Sequence, residues 1–563
     1  MTSLVELRLL EGPNLYFTRA AVKLTLDVRI LAEAPEPDVR RFEERIGLAG
    51  ARPGAPLSGF RQRAIQRILA RLVRQVAAEA GTTRLGVRVR VTNDPARLVV
   101  AYPWRDRTRA RALGEGVAEV LNGLKGGDVD ALVSRAAARV REASGGPRPA
   151  TIRPRVPVVA VTGTNGKTTT SRMVAHIARV SGHCVGWSST DGIYVDGVLV
   201  EPGDYSGPSG AGLVLAQKGV DFAVTETARG GILLKGIGVA SNDVSVVTNV
   251  SADHLGLQGI DTVDQLAEVK SVVAQITKRT GWAVLNADDP RVLAMRRIVK
   301  ARPWVFSRHA VSPGIREVLA SGGRATTVID GWITVLERDA DPDPIVEVID
   351  VPMTLSGLSR FNVENALAAT SAALAAGLSR QSVVEGLRSF RPDPEHNPGR
   401  MNVFTLGEVT VVLDLAHNEA GLEALVEIMR GLLPPGRRLL LALGAVGDRQ
   451  DSLIEALGEI AGRDTHVVAI GHKERYLRGR ATEDLDRLLR AGLARVGMEQ
   501  VSSYPTELEA LQALVAQAEA GDVVGLMCHA ERQQVYDWLS REGGTSDSPE
   551  VLREKVVRAR ERG

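Results

Sequence analysis

Residues 161–170 read VTGTNGKTTT, and this string constrains the fold of the chain more than any other. An apolar run ends at Val161, and a loop with Gly163 and Gly166 follows. Thr168 and Thr169 then open a stretch in which Met173, Val174, Ile177 and Val180 recur at helical spacing up to Gly182. Strand, glycine loop and helix in that order are the setting of a phosphate-binding loop. Glycines let backbone N–H groups converge on phosphate oxygens, and the helix N-terminus adds partial positive charge. Lys167 can reach β- and γ-phosphates, and the Thr168 hydroxyl can ligate Mg²⁺. The string departs from the general G-x-x-x-x-G-K-[ST] pattern, because Val161 holds the first position and the first glycine is Gly163.

Such a loop belongs on a parallel sheet, and the surrounding sequence predicts one. From 155 to about 300, the apolar runs VPVVAVT, DFAVTE, DVSVVTNV and WAVLNA alternate with helical patterns, the signature of a doubly wound α/β sheet. Ligands of open sheets gather beyond the carboxyl ends of the strands. There DFAVTETARGG places Glu226, followed by Arg229, Gly230 and Gly231, and DVSVVTNVSADHLG places Asn249, Asp253 and His254. Glu226, His254 and Thr168 thus share a predicted location where oxygen ligands and one imidazole could hold Mg²⁺ on phosphates. Taken singly, Glu226 reads as a loop carboxylate, His254 as a hydrogen-bonder at a helix start, and Lys270 as solvated helix surface.

The flanking sequence predicts further domains. Residues 1–150 read as a small α+β domain and a linker. Its strands are VELRLL, VKLTLDVRIL, GVRVRVT and RLVVAYPW. A helix over 61–81 buries Ile65, Ile68, Leu69, Leu72, Val73 and Val76 and turns its arginines to solvent. A helical stretch over 107–142 leads into SGGPRPATIRPRVP, a Gly- and Pro-rich linker. Residues 151–397 form the central domain, with a β-rich insertion at 303–355. Residues 398–545 repeat a β/α alternation (VTVVLDL, RLLLALG, HVVAIG, DVVGLM), which predicts a Rossmann-like C-terminal domain. Residues 546–563 form a charged tail, read as a frayed helix.

Composition excludes several classes of function. Aromatic residues are 4% of the chain and the net charge is +3, so neither base-stacking platforms nor a polybasic footprint points to nucleic acid. Two distant cysteines, Cys184 and Cys528, make neither a disulfide framework nor a metal cluster. No basic, apolar leader and no long apolar run is present, so the expectation is a cytoplasmic protein with no membrane partner.

The strings TGTNGKTTT, ETARGG, TNVSADHLG and LNADDP together resemble the Mur ligase superfamily, whose members join amino acids to carboxylates using ATP. STDGIYVDG, GDYSGPSGA, ETARGGILLKGIG, ADHLGLQGIDTVDQLAEVKSVV, FNVENALAA and NPGRMNVF are similar to the Mur-like half of the cyanophycin synthetase branch, over about residues 155–535. LRLLEGPNLY resembles the first domain of that branch. The ATP-grasp domain that the branch carries between these parts has no counterpart here, so the resemblance implies a chain that does not make the alternating polymer alone. Some relatives carry an H-x-x-E-H metal motif on an N-domain helix. At its key places stand Arg67, Ala70 and Arg71, which argues against a zinc peptidase site.

The resemblance implies a Mur-ligase-like fold and a set of roles. The loop Thr162, Gly163, Thr164, Asn165, Gly166, Lys167, Thr168 and Thr169 would hold ATP, with Lys167 on the phosphates. Thr168, Glu226 and His254 would hold Mg²⁺, and Lys270 matches a lysine that is carbamylated in many relatives and supports a second metal. Asn362 and Asn365 would lie near the adenine, Arg400 on the γ-phosphate, and Asp414 on the ribose with His417 and Asn418 beside it. Leu415 stands where relatives have tyrosine. Catalysis would rest on Lys167, Glu226, His254, Lys270 and Arg400. The implied partners are an amino acid or amine donor and a carboxylate acceptor, a peptide or polymer, and relatives are often homo-oligomers. An aspartate side chain as acceptor, a folate- or poly-γ-glutamate-type substrate, and a cell-wall precursor all remain open. So does a non-catalytic ATP-binding scaffold, which the full set of five catalytic residues argues against.

Overall fold

A computed structural model describes residues 3–48, 52–125, 127–143, 145–253 and 255–560. The chain divides into two compact units, one of residues 1–160, 188–243 and 256–278, the other of residues 161–187, 244–255 and 279–563. Among the described residues no helix is long and apolar enough to cross a membrane.

In the first unit the N-terminal region builds an antiparallel sheet in the order Leu4–Leu10, Ala21–Asp27, Arg97–Pro103, Arg88–Val91. Helix Gly59–Glu79 starts where the Ser58 side chain accepts from the Arg61 backbone N–H. Its stripe Ile65, Ile68, Leu69, Leu72, Val73 and Val76 packs on Leu24, Leu26 and Val100 of the sheet, as the 3.6-residue period predicts. The solvated-arginine reading fails at Arg61, which is wholly buried and donates to the carbonyls of Leu31, Ala34 and Gly54. The predicted strand through Leu31 ends early. Asp27 accepts from the Arg29 backbone N–H, and Arg29–Ala32 turns into a helix whose carbonyls Arg61 satisfies. The 107–142 stretch is two helices, Arg107–Asn122 and Val129–Glu142, the second capped by Asp128.

The N-terminal region does not stand apart within this unit. Glu11 N–H donates to Lys235 O and Ile237 N–H to Pro13 O. The contact needs two glycines. A Cβ on Gly12 would lie 1.9 Å from Ile237 O, and Gly236 (φ +84°) sits against the Gly12 backbone. The predicted linker joins in, with Ala150 N–H donating to Glu11 and Ile152 bridging to Val239.

In the second unit the predicted insertion proves to extend a sheet. Trp282–Asn286, the end of strand Thr277–Asn286, runs parallel to Arg302–Phe306, which runs parallel to Arg324–Ile329; Trp332–Glu337 and Asp343–Glu347 then close antiparallel. The C-terminal sheet runs Ser502–Tyr504, Val467–Gly471, Leu439–Leu443, Val523–Met527, Val409–Asp414, Asn402–Leu406, Thr545–Ser546. The first five strands are parallel, and Asn402–Leu406 runs antiparallel to its neighbour on either side. The charged tail is not frayed up to Arg560. Pro549–Arg560 is a helix that buries Leu552 and Val556, four residues apart, and Lys555 pairs with Asp547.

Candidate active site

Strand Val158–Thr162 delivers its end to Gly163, where φ is +152° and an added Cβ would come within 1.8 Å of Thr248 Oγ1. Gly166, at φ +83°, is the N-cap of helix Lys167–Val180. Both positions therefore require glycine, for backbone conformation and for space. The loop between them rests on the segment after strand Asn242–Val247. Thr164 N–H donates to Asn249 O (2.8 Å), Asn165 N–H to Asn249 Oδ1 (2.9 Å), and Thr248 Oγ1 to Asn165 O (2.6 Å). Lys167 Nζ donates to Thr164 O at 2.8 Å, which folds the ammonium over the loop. Thr168 and Thr169 are buried in the first helical turn.

Two other predicted groups reach the same loop. Helix Arg360–Ala375 begins at the Ser359 cap and carries Asn362 and Asn365 one turn apart, with Asn365 Nδ2 donating to Asn362 Oδ1 (3.0 Å). Thr170 Oγ1 donates to Asn365 Oδ1 (3.2 Å), so this helix backs the start of the loop helix. From the C-terminal sheet, Asn418 caps helix Glu419–Leu432 through Oδ1, and its Nδ2 donates to Asn165 Oδ1 at 3.1 Å.

The carboxyl ends of the C-terminal strands carry the charge. Asp414 ends strand Val409–Asp414 and is buried, accepting from Met401 N–H at 2.9 Å. Burial pushes its carboxyl up to about 6, against the opposing pull of the Arg400 guanidinium and two backbone N–H groups. His417, with Nδ1 on Leu415 O, is pushed down to about 4, chiefly by burial; Asp253 opposes the shift and Arg449 adds to it. His417, Asn418, Ser251, Asp253 and Arg449 line a cavity of about 100 Å³ floored by Leu453 and Leu457. Arg449 pairs with Asp253 (3.2 Å) and with Asp448 (3.0 Å). Behind them Lys473 and Glu507 form a buried ion pair at 3.0 Å, and Lys473 also donates to His529 Nδ1.

Two of the other predicted residues, Glu226 and Lys270, belong to the first unit. Glu226 ends strand Phe222–Glu226 in the first unit and is 1% exposed. Lys270, predicted from its helix alone to be solvated surface, is instead 4% exposed on helix Val263–Gln275, which a complete Thr262–Gln265 capping box starts. His254 lies outside the described residues. Among the described residues, no three His, Cys, Asp or Glu side chains converge as a metal site. Asn249 and Asp253 stand at a strand end where the sequence predicts ligands, whereas Arg449 and Asn397 carry no predicted role. NPGR marks the neighbourhood of Asn397, but the contacts of these residues with the loop and its helix join segments 84 to 228 residues apart, which spacing does not reveal.

Comparison with known proteins gives a consistent relationship. The Mur ligase middle domain model matches residues 161–373, and the Mur ligase, glutamate ligase domain model matches residues 399–528. The cyanophycin synthetase of Crocosphaera subtropica is 41% identical over 371 residues, covering 66% of this chain and 42% of that protein. That of Synechocystis sp. is 44% identical over 333 residues, covering 59% and 38%. The chain thus spans about two fifths of the length of these curated relatives. The UDP-N-acetylmuramoyl-L-alanyl-D-glutamate–2,6-diaminopimelate ligase of Geobacillus kaustophilus is 29% identical over 393 residues, covering 66% and 73%. Among solved structures, E. coli FolC in complex with DHPP and ADP shares the fold. It matches at TM-score 0.50 and 20% identity, over 69% of this chain and 90% of that one.

Proposed function

This chain is a member of the Mur ligase family through its middle and C-terminal domains, and from that premise we propose that it is an ATP-dependent ligase forming an amide through an acyl-phosphate. The observation that carries the reading is the loop 162–169, shaped by two obligatory glycines and touched by Asn418 from the C-terminal sheet. The relatives' names support the reaction class: cyanophycin synthetase and UDP-N-acetylmuramoyl-L-alanyl-D-glutamate–2,6-diaminopimelate ligase. The amine is an amino acid, and the acceptor is a carboxylate, a cyanophycin-like aspartate side chain being the first to test.

Charge dictates the division of labour. An acceptor carboxylate approaching ATP is repelled, and the γ-phosphoryl group must be neutralised as it transfers. Lys167 leaves Thr164 O to take the β- and γ-phosphates, and the loop N–H groups orient them. Arg400 meets the γ-phosphate, Asp414 the ribose, and Asn362 and Asn365 the adenine side. Magnesium favours oxygen donors and keeps several waters. The Thr168 hydroxyl and the buried Glu226 carboxylate suit it, with His254 and Lys270 as the further candidates. When bound, it supplies positive charge to the phosphates. The carboxylate oxygen attacks the γ-phosphorus as ADP leaves, and the amine then attacks the acyl carbon, displacing phosphate and giving up a proton to it, so water must be kept out. The cavity beside His417, Asp253 and Arg449 is the proposed amine entrance, and the neutral His417 imidazole can accept a hydrogen bond there.

Phosphate release from Mg·ATP tests the reading, with a panel of free amino acids in the presence and absence of aspartate-rich peptides and Lys167→Ala as the blank. Release that needs one amine and one carboxylate and vanishes in the variant is the expected result. Tight ATP binding with no release from any pair would favour a nucleotide-binding scaffold instead.

A further inference from the structure

The segment between the two family-model matches, residues 374–398, holds Asn397, a wholly buried side chain with no assigned role. Its amide is used in two directions. Oδ1 accepts from Arg172 Nη1 (3.1 Å), and Nδ2 points to Thr169 Oγ1 (3.3 Å), both on helix Lys167–Val180. The same Nδ2 lies 3.5 Å from Arg400 O, while Asn397 O accepts from Arg400 N–H (3.2 Å) and Asn402 Nδ2 (3.0 Å). On the other side, Gly399 N–H meets Tyr536 OH (2.7 Å) and Met401 N–H meets Asp414 Oδ2 (2.9 Å). Gly399 and Met401 both have positive φ, +71° and +52°, so Arg400 sits on a tight, conformationally restricted turn.

We propose that Asn397 is a positioning residue for Arg400, tying the turn that carries this arginine to the first turn of the helix behind the phosphate-binding loop. The proposal rests on the reading of Arg400 as a nucleotide contact. One amide reads both the Thr169–Arg172 face of the loop helix and the backbone of Arg400, so Asn397 fixes the point from which the arginine side chain reaches toward the loop. A bland alternative exists: a buried asparagine can be a strut that stabilises the fold without acting through Arg400.

A double-mutant cycle on the full chain separates the two. Asn397→Asp keeps the oxygen that Arg172 binds and the side-chain shape, and removes the N–H donor, so it is the variant of choice over Asn397→Ala. Affinity for Mg·ATP is measured for the parent, Asn397→Asp, Arg400→Ala and the double variant, with thermal melting as the folding control. The expected result is a weakening of roughly tenfold in each single variant, a double variant no weaker than Arg400→Ala, and a single cooperative melt for Asn397→Asp that shows it still folds. Additive losses, or a silent Asn397→Asp beside a damaging Arg400→Ala, would overturn the proposal alone. A silent Arg400→Ala would remove the assigned role of Arg400 and the proposal with it.

Discussion

At Gly166 two demands meet, a left-handed backbone and an absent side chain, since a Cβ would fall 2.2 Å from Asn365 Oδ1. Gly166→Ala should therefore cost about 1–3 kcal/mol of local strain and weaken nucleotide binding. A nucleotide titration equal to the parent's would show that the loop relaxes around the methyl group. Asp414 and His417 make a second, pH-resolved prediction. The folded Asp414 carboxyl titrates near 6, above its ordinary 3.8, so between pH 4 and 6 the native chain holds more protons than the unfolded one. Its contribution to stability falls as pH rises through that window. The folded His417 titrates near 4, below 6.5, so there the unfolded chain holds more protons and its contribution rises with pH. Melting temperatures of Asp414→Asn relative to the parent should rise from pH 4 to 6, and those of His417→Gln should decline from pH 4 to 6.5. Two flat difference curves would refute both assignments.

Among the elements, helices Asp451–Asp464 and Thr482–Arg495 approach until backbone meets glycine. A Cβ on Gly492 would lie 1.9 Å from Glu455 O, and one on Gly458 would lie 2.2 Å from Leu489 O. Helix propensity favours alanine over glycine by about 1 kcal/mol, but overpacking costs about 1–3 kcal/mol. Gly492→Ala is accordingly expected to lower the melting temperature, and a raised one would mean propensity wins. The same competition explains what could be read from sequence at this scale. The 3.6-residue stripe from Ile65 to Val76 is visible because one helix face supplies it. The turn at Asp27 and the buried Arg61 are not, because their reason is a set of carbonyls from other segments. The docking of the C-terminal helix was likewise hidden behind a charged composition, although Leu552 and Val556 are correctly spaced for it.

At the scale of the first unit, the contact of Glu11–Pro13 with Lys235–Ile237 joins the N-terminal sheet to a segment more than two hundred residues later. EGPN and LLKGIG are parts of LRLLEGPNLY and ETARGGILLKGIG, two of the strings that carry the resemblance, and here they meet through Gly12 and Gly236. Gly12→Val should break the join and open the Gly- and Pro-rich segment 145–157 to limited proteolysis. An unchanged cleavage pattern would mean that the pairs Arg90–Glu268 and Asn93–Asp261 suffice to hold it.

Local order alone determined the phosphate-binding loop, the amphipathic helices and the alternation of strand and helix. Each is written in consecutive residues, as glycine placement or as a period of apolar side chains. The tertiary structure alone decided that Asn418, Asn249 and Asn365 converge on that loop, that Lys270 is buried on its helix, and that Asn397 faces both Thr169 and Arg400. A polar side chain acquires its partner from whichever distant segment the packing of the sheets brings within hydrogen-bonding reach, and no spacing along the chain encodes that distance.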